Sequence, residues 1–264
     1  MQKRINSYWS KRAEEFSANR LQDLKDETKS LWMDIIRDLV PDGNGMSALD
    51  VGTGAGFHAF VLADLGFAAW GVDFSLPMIE QAKQNADRLG YKTIPFCRMD
   101  AQALGFPDSC FDLVISRNVT WTLPDPQKAY AEWCRVLAPG GILINFDANY
   151  GQAFKRMDQD GKTSGEPAAN QKTGKYRHQG RKMIRERNDI AARLYVCDLV
   201  RPQWDENILN KLGMTDITVN KDMGMRLLPE ITDEDKRKGD RYQAPMFMIS
   251  AIKDSYSVRK QQFH

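Results

Sequence analysis

The sequence is poor in the residues that build metal or disulfide sites. Its four cysteines, Cys97, Cys110, Cys134 and Cys197, include no CxxC pair. That argues against a zinc site and a disulfide framework and fits a reducing, cytoplasmic setting. The three histidines, His58, His178 and His264, are too few and too scattered for a histidine metal site, so no metal is expected. Lys plus Arg is 37 and Asp plus Glu is 35, a net charge of +2, which implies no polyanion partner. No apolar run approaches ~18 residues, so no membrane span is expected. The opening Met1-Gln2-Lys3-Arg4-Ile5-Asn6 has no apolar stretch behind its charges and does not read as a secretory signal. There is no G-x-x-x-x-G-K-[ST] loop, so no triphosphate cradle is expected either.

What the sequence does have is alternation. Residues 1–40 carry Leu31, Ile35, Ile36, Leu39 and Val40 at helical spacing and stop at Pro41-Asp42-Gly43. From 47 to 147, apolar strands at Ala48–Val51, Ala68–Val72, Thr93–Cys97, Leu113–Ser116 and Ile142–Phe146 alternate with amphipathic stretches. The helices open near Gly56, Pro77 and Asp125. This order predicts a parallel sheet covered on both faces, with ligands beyond the carboxyl ends of its strands. Residues 151–190 break the rhythm with ten Lys or Arg, five Asp or Glu and almost nothing apolar, so little core is expected from them. Order resumes at Ile190–Val196, a short helix runs through Ile208 to Leu212, and Ile217–Val219 and Phe247–Ile252 read as closing strands. The expected division is a helical cover over 1–45, a cofactor-binding core over 46–150, a lid or substrate insertion over 151–212 and closing strands over 213–264.

The most informative stretch is Leu49-Asp50-Val51-Gly52-Thr53-Gly54-Ala55-Gly56, with Asp73 at the end of the next apolar run. An apolar strand entering a glycine turn brings backbone close to a ligand. An acid at the end of the following strand is placed to hold a ribose by its two hydroxyls. The spacing is G-x-G-x-G rather than the G-x-G-x-x-G of dinucleotide domains, and no lysine in the turn faces a phosphate chain. A nucleoside-containing cofactor with little phosphate charge is expected. Asp50 reads either as the group that orders the glycine turn or as a cap for the next helix. Ser75 is better placed than Asp73 to cap the helix opening at Pro77. Phe74 and Met78 read either as an adenine sandwich or as core.

Together these motifs resemble the class I S-adenosylmethionine-dependent methyltransferases of small-molecule type, similar to the ubiquinone/menaquinone-biosynthesis-like methyltransferase superfamily. The resemblance covers most of residues 5–147. Four motifs carry it in the family's order: Asp50-x-Gly52-x-Gly54-x-Gly56, Asp73, Met99-Asp100-Ala101, and Arg135-Val136-Leu137-Ala138-Pro139-Gly140-Gly141. It implies an α/β fold, a doubly wound, mostly parallel seven-stranded sheet with helices on both faces (Rossmann-like), and a lid insertion after the fifth strand. It implies S-adenosyl-L-methionine as cofactor. Asp50, Gly52, Thr53 and Gly54 would lie against the methionine part, Asp73 on the ribose, and Asp100, Ala101 and Gln102 at the adenine. A plain surface turn is the alternative at Asp100. Tyr8-Trp9-Ser10-Lys11-Arg12-Ala13 is similar to the Tyr-Trp-x-x-Arg-Ala opening of many members, which implies that Tyr8 or Arg12 meets the methionine carboxylate. An amphipathic helix packed on the sheet, with Trp9 as its anchor, is the competing reading.

The acceptor side is less defined. Ser116-Arg117-Asn118-Val119-Thr120-Trp121 follows the fourth strand and Asp147-Ala148-Asn149-Tyr150 the fifth, both on the ligand edge. Arg117, Asn118, Trp121, Asp147, Asn149 and His178 are the acceptor-site candidates, with Arg117 also counted at the cofactor. Asp147 has a second reading, paired with a nearby arginine. His178 has one as a solvated loop residue, and His58 as an ordinary helix-face histidine. Arg201-Pro202-Gln203-Trp204-Asp205 reads as a helix start in which the proline fixes entry and Trp204 packs down. The glycine that precedes the arginine in quinone-ring members is absent. So is the N-P-P-[YF] loop of members acting on bases and amide nitrogens, which disfavours a nucleic-acid target. The expected function is in-line methyl transfer to the N, O or C atom of a small molecule. An RNA or protein methyltransferase and a non-catalytic cofactor-binding protein stand against it.

Overall fold

The computed structural model describes residues 1–25, 27–150, 152, 181–227 and 246–255. The N-terminal pattern folds as α1 (Gln2–Lys11), α2 (Ala13–Asp23) and α3 (Glu27–Leu39). The alternating region gives β1 (Ser47–Val51), α4 (Phe57–Asp64), β2 (Ala68–Asp73), α5 (Leu76–Leu89), β3 (Phe96–Arg98), β4 (Phe111–Arg117), α6 (Pro126–Val136) and β5 (Leu137–Ala148). Beyond residue 180 come α7 (Arg181–Ala192), α8 (Gln203–Lys211), β6 (Met214–Asn220), α9 (Met223–Leu227) and β7 (Met246–Lys253). Single 3₁₀ turns lie at Thr120–Thr122 and Tyr195–Asp198.

The seven strands form one sheet in the order β3-β2-β1-β4-β5-β7-β6. β1 to β5 run parallel, and β7 is antiparallel to both β5 and β6. From β1 the chain winds outward through β2 and β3, then returns to β4 on the other side. The reversal opens a crevice at the carboxyl ends of β1 and β4, where such sheets take their ligands. Local chemistry starts the helices that flank it. Ser75 caps α5 by accepting from Met78 N at 3.4 Å, and Asp125 caps α6 by accepting from Lys128 N at 3.0 Å. Each helix has a proline in its first turn, where no amide hydrogen is needed.

Each face of the sheet has its own core. On one, Trp32, Ile35 and Ile36 of α3 and Val61 and Leu62 of α4 pack on Leu113, Ile115, Ile144 and Phe146. On the other, Tyr130, Trp133 and Val136 of α6 and Ile208 and Leu209 of α8 pack on Leu49, Val51, Val114 and Leu143. Leu143 and Ile144 face opposite ways because successive side chains of a strand alternate. A third, smaller cluster joins Ile5 and Tyr8 of α1 to Trp121 and to Ile190, Ala191 and Val196. It stands beyond the carboxyl ends of the strands, not on a sheet face.

Three expectations shift. β3 begins at Phe96, not Thr93: Pro95 has no amide hydrogen to give, and its carbonyl accepts from Gly71 N at 3.0 Å. β5 begins at Leu137 because Leu137 pairs with Phe111 ahead of a register shift, so the Ala138–Gly141 stretch lies inside the strand. α7 falls largely within the stretch expected to add little core, yet Ile190 and Ala191 are buried. The rest of the expected insertion, at 151 and 153–180, lies outside the described residues. Among the described residues no helix is long and apolar enough to cross a membrane.

Leu113 is fully buried in the central strand β4. Leu113→Ala is expected to cost about 2–5 kcal/mol, read as a lower urea midpoint at unchanged slope. A loss below about 1 kcal/mol would contradict the packing described.

Candidate functional site

Two aspartates stand on neighbouring strands at the crest of the sheet. Asp50 on β1 is buried. Its Oδ2 accepts from Thr53 Oγ1 at 2.6 Å and from Ala59 N of α4 at 3.1 Å. Asp73, at the end of β2, accepts from Gly54 N at 3.0 Å through Oδ2 and from Ser75 N at 2.8 Å through Oδ1. Gly52 N and Thr53 N donate to Val72 O at 2.8 and 2.9 Å. The glycine turn is therefore held from both sides, by Asp50 through Thr53 and by Asp73 through the Gly54 amide. Burial pushes the Asp50 carboxyl up to about 7 against its bonds from Thr53 and Ala59, and the charge of Asp73 adds to the rise. Burial likewise pushes Asp73 up to about 6, opposed by the amides of Ser75, Gly54 and Phe74.

Gly52 and Gly54 hold φ of +71° and +54°, a region costly for a residue with a Cβ. A Cβ on Gly52 would also lie 2.1 Å from Val119 Cγ2, and one on Gly54 2.9 Å from Phe16 Cε1. The close approach that the glycines permit is taken in this structure by two of the chain's own side chains.

α1 and α2 cross this crest, whereas α3 packs on a sheet face. Ser10 Oγ lies 3.0 Å from Ser75 Oγ, and Asn85 Nδ2 donates to Ser17 Oγ and Ala55 O, both at 3.0 Å. Gln2 Nε2 donates to Asp100 Oδ2. Tyr8 and Arg12 are buried together, Arg12 Nη1 donating to the Tyr8 hydroxyl at 3.2 Å. Asp100 Oδ1 accepts from both Gln102 N and Gln102 Nε2 at 3.0 Å, and Ala101 O accepts from Trp133 Nε1 at 3.0 Å. Met78 is buried, and the Arg98 guanidinium covers the Phe74 ring at 5.5 Å.

The acceptor-side candidates separate. Arg117 ends β4 with its guanidinium 4.5 Å over the Trp32 ring. Trp32 also meets His58 edge-on at 4.7 Å. Burial, then the charges of Arg117 and Arg20, hold the His58 pKa well below its usual 6.5, so this histidine is neutral. Asn118 has φ +57°, and its buried Oδ1 has no hydrogen-bond partner among the described residues. Trp121 lies 6.4 Å from the Trp9 ring and 5.1 Å from the Tyr150 ring. Asn149 Nδ2 donates to Arg201 O at 3.2 Å. Asp147 points inward, fully buried, and accepts from Trp121 N and Arg201 Nη1, each at 3.0 Å, from Ala148 N at 2.8 Å and from the Thr120 hydroxyl. Pairing with an arginine is thus its observed state, and burial raises its pKa against the Arg201 charge. His178 lies outside the described residues.

Sequence reasoning missed the buried network around Arg201. The helix start is there, since α8 begins at Gln203 and Trp204 packs on Tyr130 at 6.2 Å. Arg201 itself is buried between two aspartates. Nη2 donates to Asp205 Oδ1 and to Thr120 Oγ1, both at 2.6 Å, and the guanidinium stacks 5.0 Å over Phe247. Tyr130 donates to Asp205 Oδ1 at 2.7 Å and accepts from Asn145 Nδ2 at 2.7 Å. The one local signal for it is the i,i+4 spacing of Arg201 and Asp205.

Comparison with known proteins follows this geometry. A family model described as a methyltransferase domain matches residues 42–190, more than half of the 264 residues. The chain is 32% identical over 104 residues to a phosphatidylethanolamine N-methyltransferase of Cereibacter sphaeroides, covering 39% of this chain and 51% of that one. It is 36% identical over 115 residues to a demethylmenaquinone methyltransferase of Thermus thermophilus, covering 43% and 52%. The matches span about half the length of these curated relatives. Among solved structures, phosphoethanolamine N-methyltransferase 2 of Haemonchus contortus, in complex with S-adenosyl-L-methionine, aligns with a TM-score of 0.58 at 18% identity. That alignment covers 84% of this chain and 51% of that one. An S-adenosylmethionine-dependent methyltransferase of Mesorhizobium loti aligns with a TM-score of 0.56 at 19% identity, over 86% and 97%. At such identities the likeness is one of fold.

Arg201→Met strands two buried carboxylates and is expected to cost about 3–5 kcal/mol in chemical denaturation. A cost near zero would mean that the network does not hold the fold. The raised acids set a pH dependence. The folded chain keeps protons on Asp50 and Asp73 that the unfolded chain, at an ordinary 3.8, releases. Their contribution is therefore present below about pH 4 and lost as pH rises to about 7. Asp50→Asn should flatten this fall in stability, and an unchanged pH profile would contradict the burial argument.

Proposed function

The chain belongs to the methyltransferase-domain family, and we propose that it is an S-adenosylmethionine-dependent methyltransferase of class I acting on a small-molecule acceptor. One observation carries this: two acids, Asp50 buried and Asp73 half-buried, grip a glycine turn at the switch point of a mostly parallel sheet. The residues present fit the cofactor. Asp73 is oriented by the Gly54 amide on Oδ2 and the Ser75 amide on Oδ1, which places its carboxylate for the two hydroxyls of a ribose. Asp100 would take the adenine amine beside Ala101 and Gln102, with Phe74 and Met78 against the ring. Arg12, with Tyr8, would meet the carboxylate. The unpartnered Asn118 Oδ1 suits an ammonium donor, and Arg117 lies at the same edge. Asp50 serves through Thr53, by holding the turn that includes Gly52 and Gly54.

When bound, the cofactor supplies a sulfonium methyl to a lone pair of the acceptor while the C–S bonding pair returns to sulfur. The chain's own contribution is alignment, which can supply about 7–11 kcal/mol, and exclusion of water by α1 and α2. No side chain is assigned as a general base. Trp121 and Asn149 face the acceptor side, and Asp147 acts there through the Trp121 amide. The net charge of +2 supports a small acceptor over a nucleic acid, and the four free thiols support a reducing cytosol. In this reading residues 1–45 cover the cofactor, 46–150 bind it, 151–212 serve the acceptor and 213–264 close the sheet.

Asp73→Ala and the milder Asp73→Asn should each weaken S-adenosylmethionine binding by roughly 100-fold or more, the loss of two charge-assisted hydrogen bonds. Calorimetry measures this, with circular dichroism as the check on folding. Unchanged affinity in a folded variant would defeat the ribose assignment. Transfer of a labelled methyl group from the cofactor into fractions of a cell extract tests the activity itself.

A further inference from the structure

Asp100 is the acid that would meet the adenine amine, and in this structure an amide of the chain already stands there. Asp100 Oδ1 accepts from Gln102 N and Gln102 Nε2, both at 3.0 Å. That partner is fixed in place. Gln102 Oε1 accepts from Asp125 N at 2.8 Å, which turns the Nε2 end of the side chain toward Asp100. Asp125 in turn caps α6. With Oδ1 taken twice, an incoming donor is left with Oδ2. Gln2 Nε2, from the first residue of α1, donates to that oxygen.

A glutamine side chain presents nearly what adenine presents. Each is planar and sets an NH₂ donor beside an acceptor, Nε2 beside Oε1 in glutamine and the exocyclic amine beside a ring nitrogen in adenine. The two therefore compete for one carboxylate oxygen. Of the partners of Asp100, Gln2 is the one that can yield. Its side chain is half-exposed and makes no other hydrogen bond among the described residues. α1 does not depend on it. Ile5 and Tyr8 anchor the helix in the small cluster beyond the strands, Ser10 Oγ lies 3.0 Å from Ser75 Oγ, and Arg4 pairs with Asp189. One side chain can swing about its own bonds and uncover Asp100 while the helix stays in place.

We propose that Gln2 is a built-in competitor of the adenine amine. Its carboxamide holds Asp100 until the cofactor enters and takes Asp100 back as the product leaves. Gln2 thus lowers the affinity of the site for nucleosides that carry the amine, and only for those. This rests on the methyltransferase reading, because it takes Asp100 as the adenine end of that site. Calorimetry on the full chain tests it with two ligands, S-adenosylhomocysteine and S-inosylhomocysteine, whose ring has a carbonyl in place of the amine. Gln2→Ala, and Gln2→Met, which keeps the length without the donor, should each bind S-adenosylhomocysteine about tenfold tighter than the unaltered chain, the worth of one hydrogen bond to a charged group. Neither should bind S-inosylhomocysteine more tightly, since a carbonyl cannot donate to Asp100 and does not displace Gln2. Circular dichroism checks that each variant is folded. Unchanged or weaker binding of S-adenosylhomocysteine by the two variants would overturn the proposal. So would equal tightening for both ligands, which would mean that Gln2 obstructs by bulk alone. If S-adenosylhomocysteine binds none of the folded chains, the methyltransferase reading falls and the proposal with it, whereas binding that does not depend on Gln2 sinks the proposal alone.

Discussion

The crest of the sheet depends on how two carboxylates, one buried and one half-buried, are satisfied. Asp50 and Asp73 stand on adjacent strands, close enough that the charge of Asp73 raises the cost of charging the buried Asp50. Both are met by backbone amides of the segments that leave their strands, Ala59 for Asp50 and Gly54 and Ser75 for Asp73. The glycine turn cannot move without breaking one of these contacts. Its conformation is therefore set before any ligand arrives, which is the condition for binding without a large ordering cost. A rigid turn beside an acid held in place by backbone amides is what a sugar diol requires.

The second polar system is of a different kind. Arg201, Asp147, Asp205, Thr120 and Tyr130 are satisfied chiefly by one another, by Asn145 Nδ2 and by backbone amides, not by a turn of their own. Buried ion pairs of this sort add little net stability over an apolar equivalent but are costly to break. What this one fixes is position. Through Thr120 and the Trp121 amide it pins the turn after β4 to the end of β5 and to the start of α8. The indole of Trp121 is thereby aimed at α1, where it meets Trp9.

Those two systems frame a cap that is built more lightly. α1 and α7 meet through a small apolar cluster and two ion pairs near the surface, without the sheet beneath them. Contacts of that kind open at lower cost than a core does. The elements that would admit a cofactor and an acceptor are thus the ones held least firmly, while those that would orient the reacting groups are held most firmly.

The sequence by itself determined the alternation of strands and helices, the glycine turn, and Asp50 and Asp73 as the acids at the crest. These depend on contacts of short range: Asp50 reaches Ala59 nine residues on, and Asp73 reaches Gly54 across 19. Periodicity and turn chemistry act over such distances, so the pattern carries the structure. Only the tertiary structure decided that Asp147 belongs to Arg201, 54 residues away, that Arg201 also reaches Thr120, 81 away, and that Gln2 covers Asp100, 98 away. Nothing local encodes those partners. A helix start marked by a proline does not show that the chain folds back and buries the Arg201 guanidinium between two carboxylates.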